Sequence, residues 1–157
     1  MTETSVEHAT FTIERDYPFS AAELYRAHVD PAHKRKWFVE GEGWQVFGYE
    51  HDIRTGGFER SSFSFKGGPR ISNNTVHLDL VENRRIVSAY TMALESITFS
   101  ASLATLEFLP AAKGAKLVYT EQGAYFGGGD QAHQREEGCR QLFGILHDYL
   151  AGRQKVR

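Results

Sequence analysis

Apolar and polar side chains alternate near the start of the chain and predict its first strand. Over residues 8–16, Ala9, Phe11 and Ile13 fall on one side, whereas polar residues fall on the other. This period of two is typical of a half-buried strand. Glycine, proline and asparagine then separate further segments in the manner of turns and hairpins. These segments predict six more strands, at 44–50, 58–65, 75–81, 85–92, 99–109 and 116–123.

Two short helices are predicted between the first strand and the second. Ser20 is an N-cap candidate, and Glu23 follows it at the spacing of a capping box. Asp30-Pro31 ends this helix and begins the next, because proline suits a first helical turn. Trp37 and Phe38 end the second helix. One face of the first helix carries Leu24, Ala27 and His28.

The end of the chain predicts one long amphipathic helix. Gly127–Gly129 is a flexible hinge, and Asp130 is the expected N-cap of a helix over about 131–152. Its apolar stripe has the spacing of one helical face. The stripe consists of Ala132, Cys139, Leu142, Phe143, Leu146, Tyr149 and Leu150.

The order of these elements predicts an α+β fold. An antiparallel sheet of about seven strands has to cover its apolar face, and only the last helix is large enough to do so. A curved sheet wrapped on that helix would leave a cavity between them, closed at one end by the two short helices. A length of 157 residues fits a single domain over residues 1–157, with its core at about 8–151.

Composition narrows the classes of function. The net charge of −2 argues against a generic nucleic-acid binder. The lone Cys139 excludes an intramolecular disulfide and a thiolate-rich metal site, and it fits a reducing compartment. Residues 1–5 do not resemble a signal peptide, and no apolar run is long enough to span a membrane. We therefore expect a cytoplasmic protein without metal or cofactor.

Two carboxylates are the first candidates for chemistry. Glu59 shares a strand face with Ser61, Phe63 and Phe65, and Glu121 shares one with Leu117 and Tyr119. If these faces meet the long helix, burial would raise the pKa of each carboxyl and fit it for acid–base work. The favoured alternative is that each is solvated at the cavity mouth, or paired with an arginine such as Arg60 or Arg140.

Other residues are candidates for the cavity wall. His28 and His77 could donate to a ligand or move a proton, although a satisfied core histidine is the more common role. Cys139 is expected to be a buried, inert thiol. The run His33–Lys36 is expected to be a solvated helix face. Ring side chains at four positions could line the pocket or only fill the core: Trp37, Tyr90, Tyr119 and Phe143.

Several motifs, taken in order, carry a family resemblance. They are Pro18 to Trp37, the turn Asp52-Ile53-Arg54-Thr55-Gly56-Gly57, the strand pair Val76 to Ile86, the hairpin Leu106 to Gly123, and the helix Glu137 to Leu150. Over about residues 8–151 the chain resembles the SRPBCC (START/Bet v 1-like) superfamily. Within it, the chain is similar to bacterial proteins of the activator-of-Hsp90-ATPase C-terminal-domain family.

The resemblance implies a helix-grip fold. The chain departs from the family pattern at two positions. The family often has an aromatic or small apolar residue where this chain has His28, and usually a tryptophan where it has Cys139. Both positions are expected to meet the cavity, and the smaller cysteine would enlarge it. The resemblance also implies two hypotheses about partners, a homodimer and contact with an Hsp90-type chaperone.

Three functions follow as hypotheses. The favoured one is binding of a small hydrophobic or amphipathic molecule between the sheet and the C-terminal helix. The second is a cavity enzyme, cyclase/aromatase-like or hydrolase-like, that uses the same carboxylates and histidines. The third is a co-chaperone-like or stress-response interaction module. The residues expected to line the cavity are His28, Trp37, Glu59, Phe63, His77, Tyr90, Tyr119, Glu121, Cys139 and Phe143.

Overall fold

The computed structural model describes residues 6–155 as seven strands and three α-helices. Residues 1–5 and 156–157, which belong to the predicted domain and include the segment judged not to be a signal peptide, lie outside the described residues. The strands are β1 (Glu7–Tyr17), β2 (Trp44–Asp52), β3 (Phe58–Phe65), β4 (Ile71–Val81), β5 (Arg85–Leu94), β6 (Ile97–Ala111) and β7 (Gly114–Tyr125). The helices are α1 (Ala21–Val29), α2 (Pro31–Lys34) and α3 (Ala132–Lys155).

All seven strands form one antiparallel sheet, which confirms the predicted fold class. The strand order is β1-β7-β6-β5-β4-β3-β2, so within residues 6–155 the β1–β7 pair alone joins strands that are distant in sequence. The bounds of β3 are those predicted. The other strands extend beyond their predicted ends, and β4 begins at Ile71 rather than Thr75.

The two short helices begin as the sequence predicts. Ser20 caps α1, and Glu23 completes the capping box. The Asp30 side chain caps α2 by accepting from the amide of Ala32. A π-helical turn, Arg35–Val39, follows α2 and buries Trp37. The indole Nε1 of Trp37 donates to the carbonyl of Ala27 at 2.8 Å, so this turn is fastened to α1.

The long helix α3 packs on the part of the sheet that contains β1 and β7. The Tyr17 hydroxyl donates to the Phe143 carbonyl at 2.8 Å, and the Tyr119 and Phe143 rings lie 5.3 Å apart. The helix begins at Ala132 and continues to Lys155, so it starts later and ends later than predicted. Asp130 does not act as the expected N-cap, because its carboxylate accepts from the guanidinium of Arg135.

The helix-facing side of the sheet is less well covered toward β2. Phe63, Thr75 and Met92 are half-buried there, and Trp44 is 41% exposed. The sheet therefore presents a partly open surface beyond the edge of α3. Within residues 6–155, no helix is both long enough and apolar enough to cross a membrane.

Candidate functional site

Glu59 is the centre of a buried polar cluster on the helix-facing side. Its Oε1 accepts from Lys34 Nζ at 2.8 Å and from His77 Nε2 at 2.9 Å, and its Oε2 accepts from the Tyr49 hydroxyl at 2.8 Å. The sheet register makes this possible, since β2 and β4 flank β3. We call Lys34, Tyr49, Glu59, His77 and Ser88 the Glu59 cluster.

Glu59 does not have the raised pKa that the acid–base hypothesis requires. Burial alone would raise its pKa, but the ammonium of Lys34 and hydrogen bonds from His77, Lys34 and Tyr49 lower that pKa to about 2. The carboxylate is therefore ionised at neutral pH and acts as an acceptor. Burial and the Glu59 charge raise the pKa of the Tyr49 hydroxyl, which keeps it a donor.

Two expectations about these charges are wrong. Arg60 does not pair with Glu59; it is exposed and lies over the Phe58 ring. Nor is the run His33–Lys36 a uniformly solvated face. The Lys34 side chain is only 14% exposed, and His33 Nδ1 lies 2.7 Å from the Tyr149 hydroxyl of α3. Only Lys36 in this run is largely solvated.

Glu121 is the centre of a second buried cluster, beneath α3. Hydroxyls of Tyr90, at 2.7 Å, and of Tyr119 donate to its Oε1, and Arg135 Nη1 donates to Oε2 at 3.1 Å. Tyr125 lies 3.4 Å from Oε2. Burial, together with the nearby charge, raises the pKa of both Tyr90 and Tyr119 well above the usual range, so both remain donors.

Arg135 is the residue that satisfies this second cluster. Its guanidinium also donates to Asp130, to Ser100 at 2.7 Å and to Tyr90 at 2.7 Å. Glu121 thus pairs with an arginine, as the favoured alternative proposed, but with Arg135 rather than Arg140, which bonds Glu136 on the surface. The polar atoms of this cluster have hydrogen-bond partners within it. We therefore interpret the cluster as a structural link between the sheet and α3.

Cys139 of α3 is a buried free thiol beside Tyr119 of this cluster. Burial raises its pKa to about 12, and the negative charge of Glu121 adds to the effect. The thiol is therefore protonated at neutral pH and unreactive as a nucleophile.

His28 carries a buried nitrogen without a hydrogen-bond partner. Its Nδ1 lies 2.7 Å from the Leu24 carbonyl, whereas Nε2 has no partner among the described residues. The ring packs edge-on against Trp37 and Phe108, at 4.9 Å and 5.4 Å. Burial lowers its pKa to about 4, so the ring is neutral at pH 7. Nδ1 then donates to the carbonyl, and Nε2 is an unused acceptor.

The structure thus divides the ten predicted cavity residues into groups. Glu59 and His77 share one cluster, Tyr90, Tyr119 and Glu121 share another beside Cys139 and Phe143, and His28 contacts Trp37. Phe63 stands apart and packs on Trp44 at 5.3 Å. Their contact with a ligand stays a prediction.

Two surface depressions lie away from these clusters. One follows the outer side of α3 from His133 to Gln141, and another lies over the outer ends of β1, β6 and β7 near Gly123. Neither is in the space between sheet and helix. No group of three or more His, Cys, Asp or Glu side chains within residues 6–155 is arranged to hold a metal ion.

Several contributors to these clusters were not among the predicted site residues, and four of them show what the sequence signals. Arg135 could have been found, because it lies between Ala132 and Cys139 on the stripe of α3 at helical spacing. Lys34 precedes Trp37 by three residues, the spacing of one helical face. Tyr49 and Ser88 carried no local signal, since their role depends on strand register.

A family model matches most of the chain. Residues 18–151 match the family model described as "Activator of Hsp90 ATPase homolog 1-like protein". The chain belongs to this family. The match begins directly after β1 and extends to Ala151 in α3.

Solved structures agree with this assignment. The Mll3558 protein from Rhizobium loti is 45% identical over 92% of this chain and 99% of its own, with a TM-score of 0.85. A protein from Rhizobium leguminosarum is 35% identical over 96% of this chain and 99% of its own, with a TM-score of 0.89. An AHSA1-like protein from Aeromonas hydrophila, 14% identical over 93% of this chain and 94% of its own, shares the fold at a TM-score of 0.71. No similar sequence was found among curated proteins.

Proposed function

We propose that this family member binds a small amphipathic molecule on the helix-facing side of the sheet, beyond the edge of α3. The observation that carries the proposal is the half-buried apolar surface of β2 to β5 beside the Glu59 cluster. Phe63 and Met92 offer apolar area there, and Trp44 is 41% exposed. Sites for small molecules combine such apolar walls with a few fixed polar groups.

The Glu59 cluster supplies the polar part of the proposed site. Lys34 gives one N–H to Glu59 and has two further donors, and its side chain keeps 14% exposure. A carbonyl or hydroxyl oxygen of a ligand would accept from this ammonium. The Glu121 cluster is fully bonded, so it supports the wall rather than the ligand.

The first experiment is native mass spectrometry of protein purified without added ligand, in which a co-purifying molecule would identify the ligand class. The second is titration with the fluorescent amphiphile 1-anilinonaphthalene-8-sulfonate. Phe63→Ala should weaken dye binding at least about 10-fold, because a buried aromatic contact contributes on the order of 1.5–3 kcal/mol. Val76→Ala, on the opposite side of the sheet and 50% exposed, is the matched control. Equal affinity in both variants would reject this location.

The location of the protein in the cell and its protein partners are further proposals. A cytoplasmic location is supported by the single free cysteine. Contact with an Hsp90-type chaperone is supported by the family description alone. A chaperone ATPase assay with and without this protein, and sedimentation velocity for a homodimer, would test the two partnerships separately.

A further inference from the structure

Ser88, His77 and Glu59 form one chain of hydrogen bonds across three neighbouring strands. Ser88 Oγ lies 2.9 Å from His77 Nδ1, and His77 Nε2 lies 2.9 Å from Glu59 Oε1. His77 and Ser88 are direct partners in the β4–β5 register. Because all three side chains stand on paired strands, their mutual geometry is fixed by the sheet rather than by a loop.

The direction of each hydrogen bond follows from the ionised carboxylate. Glu59 can only accept, so in neutral His77 the proton is on Nε2. Nδ1 then carries a lone pair, and the Ser88 hydroxyl donates to it. A hydroxyl, a neutral imidazole that accepts its proton, and a carboxylate that orients the imidazole are the parts of an activated serine nucleophile.

We propose that Ser88 is a nucleophile for activated esters of small carboxylic acids, with His77 as its general base and Glu59 as a positioning residue. Ser88 Oγ attacks the acyl carbon while its proton moves to His77 Nδ1. The bond from the acyl carbon to the leaving oxygen breaks, and His77 returns the proton to the departing alcohol. Water then hydrolyses the acyl-Ser88 ester by the same route and restores the hydroxyl.

The rest of the Glu59 cluster supports this assignment. Lys34 and Tyr49 hold both oxygens of Glu59, which fixes the carboxylate toward His77. A π-helical turn begins directly after Lys34, and such turns are frequent at functional sites. The acyl-Ser88 adduct is the quantity to measure, because it forms only if Ser88 is the nucleophile.

The inference rests on the proposed function for access of the ester to this side of the sheet. The probe is p-nitrophenyl acetate, with the acetyl group located by peptide mapping. An ester on Ser88 is removed by hydroxylamine, which distinguishes it from amides on surface lysines. The hydroxylamine-sensitive acetyl group should be absent in Ser88→Ala. It should form about 100-fold more slowly in His77→Gln, given the usual contribution of a general base. The matched control is Ser61→Ala, which removes a buried serine of β3 and should leave the rate unchanged.

Thermal unfolding of each variant confirms that it is folded before the rates are compared. Folded wild-type protein without acetyl on Ser88, or equal Ser88 acetylation in folded His77→Gln, would overturn the proposal. Displacement of 1-anilinonaphthalene-8-sulfonate by the unreactive p-nitroacetanilide reports access independently. Displacement without acetylation rejects the nucleophile and leaves ligand binding intact, whereas neither displacement nor acetylation rejects both.

Discussion

Lys34 Nζ and Glu59 Oε1 lie 2.8 Å apart, in an ion pair that joins α2 to β3. Both side chains are largely withdrawn from solvent, at 14% and 7% exposure. A buried pair of this kind is expensive to desolvate, so it gives little net stability compared with an apolar pair. Removing only one partner is strongly destabilising, because the remaining charge then stays buried without a counter-charge.

Lys34→Met should therefore destabilise the protein by about 3–5 kcal/mol, the usual cost of breaking a buried pair on one side. The double variant Lys34→Met/Glu59→Gln should recover a large part of that loss, since no buried charge remains. Urea unfolding of the two single variants and the double variant measures the coupling. Additive effects would mean that the two charges do not interact in solution.

His28 should make the protein sensitive to mild acid. Its pKa falls from about 6.5 unfolded to about 4 folded, because burial disfavours the charged ring. The unfolded state then binds more protons between these values, so the stability present above pH 6.5 is lost as pH falls to 4. The loss is about 3 kcal/mol, at 1.36 kcal/mol per pKa unit.

His28→Phe should flatten this part of the stability curve, measured by urea unfolding at pH 7, 5.5 and 4.5. The Glu59 carboxylate affects stability at lower pH than His28 does. Its pKa is lowered to about 2, so its contribution to stability is lost only below about pH 4.5. An unchanged slope between pH 6.5 and 4.5 in the variant would contradict the assignment to His28.

Arg135 should be far more important to stability than a surface arginine of the same helix. Arg135→Met leaves Glu121, which is 0% exposed, without its counter-charge, and a loss of about 3–5 kcal/mol is expected. Arg140→Met is the matched control, because Arg140 makes only a surface pair with Glu136 and its loss should cost less than about 1 kcal/mol. Similar melting temperatures for the two variants would show that Arg135 is not structurally required.

The Cys139 thiol should resist modification in the native protein. Its pKa is raised to about 12, so very little thiolate is present at pH 8, and the side chain is buried. Reaction with 5,5′-dithiobis(2-nitrobenzoic acid) should be at least about 100-fold slower than in urea-unfolded protein. Rapid labelling at pH 8 without denaturant would place the thiol at the surface.

Local patterns were sufficient for most of the fold. The capping box of Ser20 and Glu23 and the bounds of β3 depend on residues close in sequence, and both are confirmed. Asp130 shows where local signals fail. It has the position of an N-cap, but the guanidinium of Arg135 is a stronger partner for its carboxylate than a backbone amide.

The candidate site was predictable only in part. Alternation identified Glu59 and Glu121 as candidates, with a solvated or arginine-paired position at the cavity mouth as the favoured interpretation, and both are in fact buried. Their partners come from other elements, and the sequence does not show which residues the strand register brings together. The His77–Ser88 contact depends on the pairing of β4 with β5, and Lys34 reaches Glu59 only because α2 lies over β3.

The single turn of α2 is bonded both to the helix α3 and to the strand β3. His33 bonds Tyr149 of α3, and Lys34, its neighbour, bonds Glu59 of β3. The separation of helix and sheet at this end is therefore set by the width of a single helical turn. A molecule that displaces either hydrogen bond would release one of the two links through which α2 holds α3 and β3 at this spacing.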